Sequence, residues 1–144
     1  MKPISMTRHV LAALAALTAV AAATPSQAAD RVRRECDASG VADISMSARW
    51  EKRGDRRKFS TEFEAAPGGA FSEGDRIVIR VEGVNVGGVR LETVLGGDLV
   101  GDLNLDTRPQ EDAKPFPSDF PAVGRGARVE VLRRGEAVLS CKLR

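Results

Sequence analysis

The chain has 144 residues, 22 Lys and Arg against 20 Asp and Glu, no tyrosine and one histidine, His9. A balance this close to neutral gives no case for a nucleic-acid-binding surface, which needs a clear net basic field. His9 falls in a segment that reads as a cleavable leader, so residues 30–144 hold no imidazole. That excludes histidine-based acid, base and nucleophile chemistry and removes the commonest nitrogen ligand of zinc and copper.

The leader has its three parts in order. Lys2 and Arg8 make a basic start, Val10 to Ala23 is apolar apart from Thr18, and Thr24 to Ala29 is a small, polar exit. The apolar run is 14 residues, short of the ~20 needed to cross a bilayer, and no second such run follows. Residues 1–29 are therefore expected to be a secretory signal, and residues 30–144 one domain in the periplasm or outside the cell. Lys2 and Arg8 leave with the signal and no acid does, so the remaining chain has 20 basic and 20 acidic residues.

Cys36 and Cys141 lie near the two ends of that domain. An even cysteine count in an exported chain reads as a disulfide. Closing a loop of about a hundred residues restricts the unfolded chain by about 4–5 kcal/mol in the loop-entropy model. The pair is not in a C-x-x-C arrangement, and no other Cys or His is present in the domain to complete a metal site.

From Ile44 onward the period is two. Ile44, Met46, Ala48 and Trp50 alternate with polar residues, Lys52 to Asp55 supply a turn, and Phe59, Thr61, Phe63 and Ala65 line one face of the next strand. Pro67-Gly68-Gly69 and Ser72 to Asp75 punctuate the chain before Ile77, Ile79 and Val81 alternate again. Asn85 to Gly88 reads as a turn, Val89 to Leu95 as a strand, Gly96-Gly97-Asp98 as a tight hairpin and Leu99 to Leu105 as its returning partner. After a long loop, Ala127 to Val131 and Ala137 to Leu143 form the closing pair. No stretch shows a sustained helical stripe. About seven short strands at this spacing predict an all-β, antiparallel β-sandwich of Greek-key or immunoglobulin-like architecture, with a small β-barrel as the alternative. Trp50 after Cys36 fits such a sandwich, but Leu139 stands where immunoglobulin domains place a tyrosine two residues before the second cysteine. The pattern supports the architecture and no family.

Four features bear on function. Arg49, Lys52, Arg53, Arg56, Arg57 and Lys58 put six cations on one hairpin. They suit a polyanion gripped by guanidinium forks, or else a charged guard on a strand edge. Asp102, Asn104 and Asp106, with Asp98 before them and Glu111 or Asp112 after, form an acidic comb that a Ca²⁺ ion would have to share. The comb lacks the glycine and the final acid of an EF-hand loop, and strand residues two apart project in parallel about 6–7 Å from each other. Thr107 to Gly126 is a long segment with four prolines and the repeat Phe116-Pro117-Ser118-Asp119-Phe120-Pro121. Phe116 and Phe120 read either as plugs for an open sandwich end or as anchors of a binding loop. The carboxylates supply no distinctive catalytic pair, and no G-x-S-x-G, Walker or dinucleotide motif is present.

The function expected from these residues is that of an exported, non-enzymatic binding or surface-accessory module. It would engage a polyanionic glycan or a protein through the basic hairpin and the Pro-Phe loop, without a cofactor. A self-assembling envelope protein, acidic comb against basic hairpin, is the first alternative. A small carboxylate-based hydrolase is the second.

Overall fold

The structure, a computed structural model, describes residues 30–144, so the leader reading lies outside the described residues. Nine strands are present among the described residues: β1 (Arg31–Gly40), β2 (Ile44–Arg53), β3 (Arg56–Ala65), β4 (Arg76–Val81), β5 (Val84–Arg90), β6 (Glu92–Thr93), β7 (Leu99–Asp106), β8 (Arg128–Arg133) and β9 (Glu136–Lys142). No helix occurs among the described residues. The strands form two antiparallel sheets, one in the order β1-β2-β3-β7-β6 and one in the order β5-β4-β8-β9.

Alternation explains which faces meet. Ile44, Met46, Ala48 and Trp50 of β2, Phe59 and Phe63 of β3, and Leu99, Leu103 and Leu105 of β7 are buried on one side of the first sheet. Ile77, Ile79 and Val81 of β4 with Val129 and Val131 of β8 are buried on the facing side of the second. The β2–β3 hairpin turns on Gly54 and Asp55, with Arg53 and Arg56 as its last pair. Gly54 takes φ 56, the left-handed conformation a two-residue hairpin demands and that glycine adopts without steric cost.

One side of the sandwich is sealed twice. Cys36 of β1 and Cys141 of β9 are disulfide-bonded with their Cα atoms 5.7 Å apart. Glu35 and Arg144 exchange both backbone hydrogen bonds, at 3.2 and 3.1 Å, so the end of the chain pairs with β1. On the other side the chain passes from β5 in one sheet to β6 in the other through Leu91, which is buried.

The strand count and two boundaries depart from the sequence reading. Nine strands replace about seven, because β1 is a strand of its own and the run from Val89 to Leu95 is divided between the sheets. β1 shows no apolar alternation: it is an edge strand whose inward positions are Arg34, Cys36 and Ala38, opposite Trp50, Ala48 and Met46. Asn85 to Gly88 is strand and not turn; the chain reverses at Glu82 and Gly83, with φ 48 and 83. Gly87 serves close approach, since a Cβ there would come within 2.8 Å of the Leu103 side chain. Asp98 lies just before β7, outside the strand.

Candidate functional site: the open face and the basic end

Among the described residues no other sheet covers the outer side of the five-stranded sheet. Register carries its outward side chains into rows across the strands. At the hairpin tip the first row is Arg31, Arg53 and Arg56, and the second is Arg33, Glu51, Lys58 and Asp106. The third is Glu35, Arg49, Ser60 and Asn104, and the fourth Asp37, Ser47, Glu62 and Asp102. The last is Ser39, Ser45, Glu64, Val100 and Glu92. Two hollows of about 600 and 390 Å³ run over this surface, the larger walled by Gln110 to Ala113 of the following loop.

The structure divides the six cations of the hairpin. Three are answered by carboxylates. Arg56 grips Asp106 with two hydrogen bonds, at 3.2 and 2.7 Å; Lys58 stands 3.7 Å from the same carboxylate; Arg49 donates to Glu35 at 2.6 Å. The other three, Lys52, Arg53 and Arg57, have no carboxylate within 4.0 Å among the described residues and are exposed. Arg57 lies over the ring of Phe116, 5.2 Å from its centre, a cation–π geometry. The wall of the larger hollow sums to four cations, Arg31, Arg49, Arg56 and Lys58, against Glu51, Asp106, Glu111 and Asp112. The excess positive charge is therefore at the tip and not in the hollow.

A residue the sequence reading missed joins that tip. Thr107 bonds to the backbone of Arg57 at 3.1 Å in both directions, through its hydroxyl and its own N–H. The next residue, Arg108, is exposed, donates its backbone N–H to Asp106 at 2.9 Å and has no ion pair among the described residues. Arg57 and Arg108 are far apart in sequence, and only the β3–β7 pairing brings them together. No local signal marks that pairing.

Phe116 and Phe120 pack on the core. Phe120 stacks on Trp50 at 5.7 Å and leans on Phe59 at 5.6 Å, while Phe116 meets Trp50 edge-on at 5.9 Å and Phe120 at 4.7 Å. Such pairs are worth about 0.5–1.5 kcal/mol each beyond buried area. The loop is tied down further where Lys114 pairs with the edge of β7, donating to Asn104 at 2.8 Å and accepting from Asp106 at 2.9 Å. The Pro-Phe loop thus closes the tip end of the sandwich and holds Arg108 beside the hairpin.

The acidic comb does not converge on one point. Asp106 is buried and committed to Arg56, whose hydrogen bonds, with that from the Arg108 N–H, pull its pKa down to about 2. Asp102 stands directly opposite Glu62. Burial and the neighbouring Glu92 carboxylate push Asp102 up, and burial with Asp102 and Glu64 pushes Glu62 up. Among the described residues no group of three or more His, Cys, Asp or Glu side chains is placed to hold a metal ion.

Fold and site define a disulfide-closed, two-sheet β domain with a charged open face and one basic end. Comparisons of the chain with protein-family models, curated proteins and solved structures find no match.

Proposed function

We propose that the chain is an exported, non-catalytic binding module that takes an acidic glycan at its basic end, through Lys52, Arg53, Arg57 and Arg108. The observation that carries this reading is that these four cations share one end of the domain with no carboxylate partner among the described residues. Lys52 faces Arg57 directly across the hairpin, and Arg53 faces Arg56. Like charges directly opposite on neighbouring strands destabilise a sheet. A polymer of carboxylates removes that repulsion, and guanidinium forks match its planar anions.

Hydrolysis has less support. Asp106 and Asp102 have pKa values moved in opposite directions, but four strand residues separate them by about 13 Å. A pair of glycosidase carboxylates stands about 5–9.5 Å apart. Glu62 and Asp102 are close, yet both are pushed up, and among the described residues neither has an ion pair that would hold one of them ionised as nucleophile or base.

The test is binding of alginate, with neutral dextran as control, measured by calorimetry across a salt series. Alginate should bind at low salt and weaken steeply as salt rises. The Lys52→Ala/Arg53→Ala double variant, which leaves the Arg57–Phe116 contact intact, should bind at least about tenfold more weakly, or about 1.4 kcal/mol. Equal binding by the double variant, or no binding of alginate at low salt, overturns the reading.

A further inference from the structure

The rows of the open face form a charge gradient along the strands. The three rows nearest the tip carry six cations against three carboxylates, and the two rows at the other end carry five carboxylates and no cation. Arg90 and Lys114 border Asp102 and Glu92 from the side of the sheet, without an ion pair to either. The central row has a symmetry of its own. Two residues towards the tip stand Arg33 on β1 and Lys58 on β3; two residues the other way stand Asp37 and Glu62 on the same strands.

We propose that this face is an interface between two copies of the chain, related by a two-fold axis that crosses the strands along the Ser60 row. Such an axis reverses strand direction, so the basic end of each copy lies over the acidic end of the other. Lys58 then meets Glu62 of the partner subunit and Arg33 meets Asp37 of the partner subunit, each contact made twice, as a closed two-fold interface requires. An axis along the strands would instead stack like charge on like. Asp106 enters with its charge already answered by Arg56.

Two physical features favour a second sheet as the occupant. Ser47 and Ser60 line a hollow near the centre of the face, which lets two sheets approach closely. Ten-residue strands span about 33 Å and five strands about 20 Å, which gives on the order of 600 Å² per copy. A standard interface buries about 800 Å² per partner. The dimer is therefore weak and electrostatic. Its paired contacts, Lys58 with Glu62 and Arg33 with Asp37, use none of the four cations of the glycan reading, of which only Arg53 lies on this face, so it does not rest on that reading.

Sedimentation velocity on the oxidised protein tests it. At about 10 mM salt, where the Debye length is about 30 Å, the protein should dimerise; at about 1 M, where it is about 3 Å, it should be monomeric. Lys58→Glu and Glu62→Lys should each weaken self-association at least about tenfold while keeping the circular dichroism of the parent. An equimolar mixture of the two should restore a dimer, because both contacts then become attractive. A monomer at low salt, or a mixture that associates no better than either variant alone, overturns the proposal. Glycan binding by Lys58→Glu, read separately, reports on the basic-end reading whichever way the dimer falls.

Discussion

Asp102 and Asp106 lie on the same strand, on the same outward face, four residues apart, yet their surroundings drive them in opposite directions. Asp106 meets Arg56 across β3 and the Arg108 N–H beyond it, and is held near pKa 2. Asp102 meets Glu62 across the same strand and is raised by burial and by Glu92. The acidic residue type is identical: the Arg56 guanidinium holds Asp106 down, while burial, and then the Glu92 carboxylate, push Asp102 up. One end of the open face has its charges answered and fastens a loop; the other leaves like charges facing each other, available to an outside cation.

The disulfide provides the largest way to break this contrast, because β1 contributes Arg33 to one end and Asp37 to the other. Cys36→Ser with Cys141→Ser should cost about 4–5 kcal/mol, read as a lower urea midpoint with a steeper slope, because the unfolded chain without the bridge is less compact. Next comes the answered end. Asp106→Ala leaves Arg56 without its acceptor and should cost about 2 kcal/mol, within the range for hydrogen bonds to charged groups. It should also loosen the loop that carries Phe116. The folded pKa of Asp106 is depressed from 3.8 to about 2, so its stabilisation is present above pH 3.8 and is lost as the pH falls towards 2. Asp106→Ala should flatten that part of the stability profile.

The unanswered end has the opposite sign and the smallest effect. The pKa values of Glu62 and Asp102 are raised above 4.5 and 3.8. Their favourable contribution is therefore present below those values and is lost as the pH rises through the folded pKa. Glu62→Gln should stabilise the monomer at pH 7 by about 0.5 kcal/mol, the scale of a like-charge cross-strand pair, and should do nothing at pH 3. Urea melts at the two pH values, at protein concentrations where the chain is monomeric, separate this from dimerisation.

Much of the fold is legible in the residues themselves. Period-two runs give β2, β3, β4 and β7, and an even cysteine count in a chain read as exported gives the bridge. β1 escapes because an edge strand with arginines on both faces carries no apolar alternation. β5 escapes because Gly87 and Gly88, read as turn residues, are there to admit Leu103 and the Arg76 side chain. At the site, alternation puts the cations and carboxylates on the correct faces. It cannot say that Arg56 belongs to Asp106, or that Arg108 joins Lys52 and Arg53, because both facts depend on which strand lies beside β3.

The central claim is that strand register splits the open face into an answered end and an unanswered one. Carboxyl-carbon NMR titration of the oxidised protein, following Asp102 and Asp106 in the same sample at high salt, measures it directly. The account predicts Asp106 titrating near 2 and Asp102 above its ordinary value of 3.8. Two carboxylates titrating together near 3.8 would contradict it.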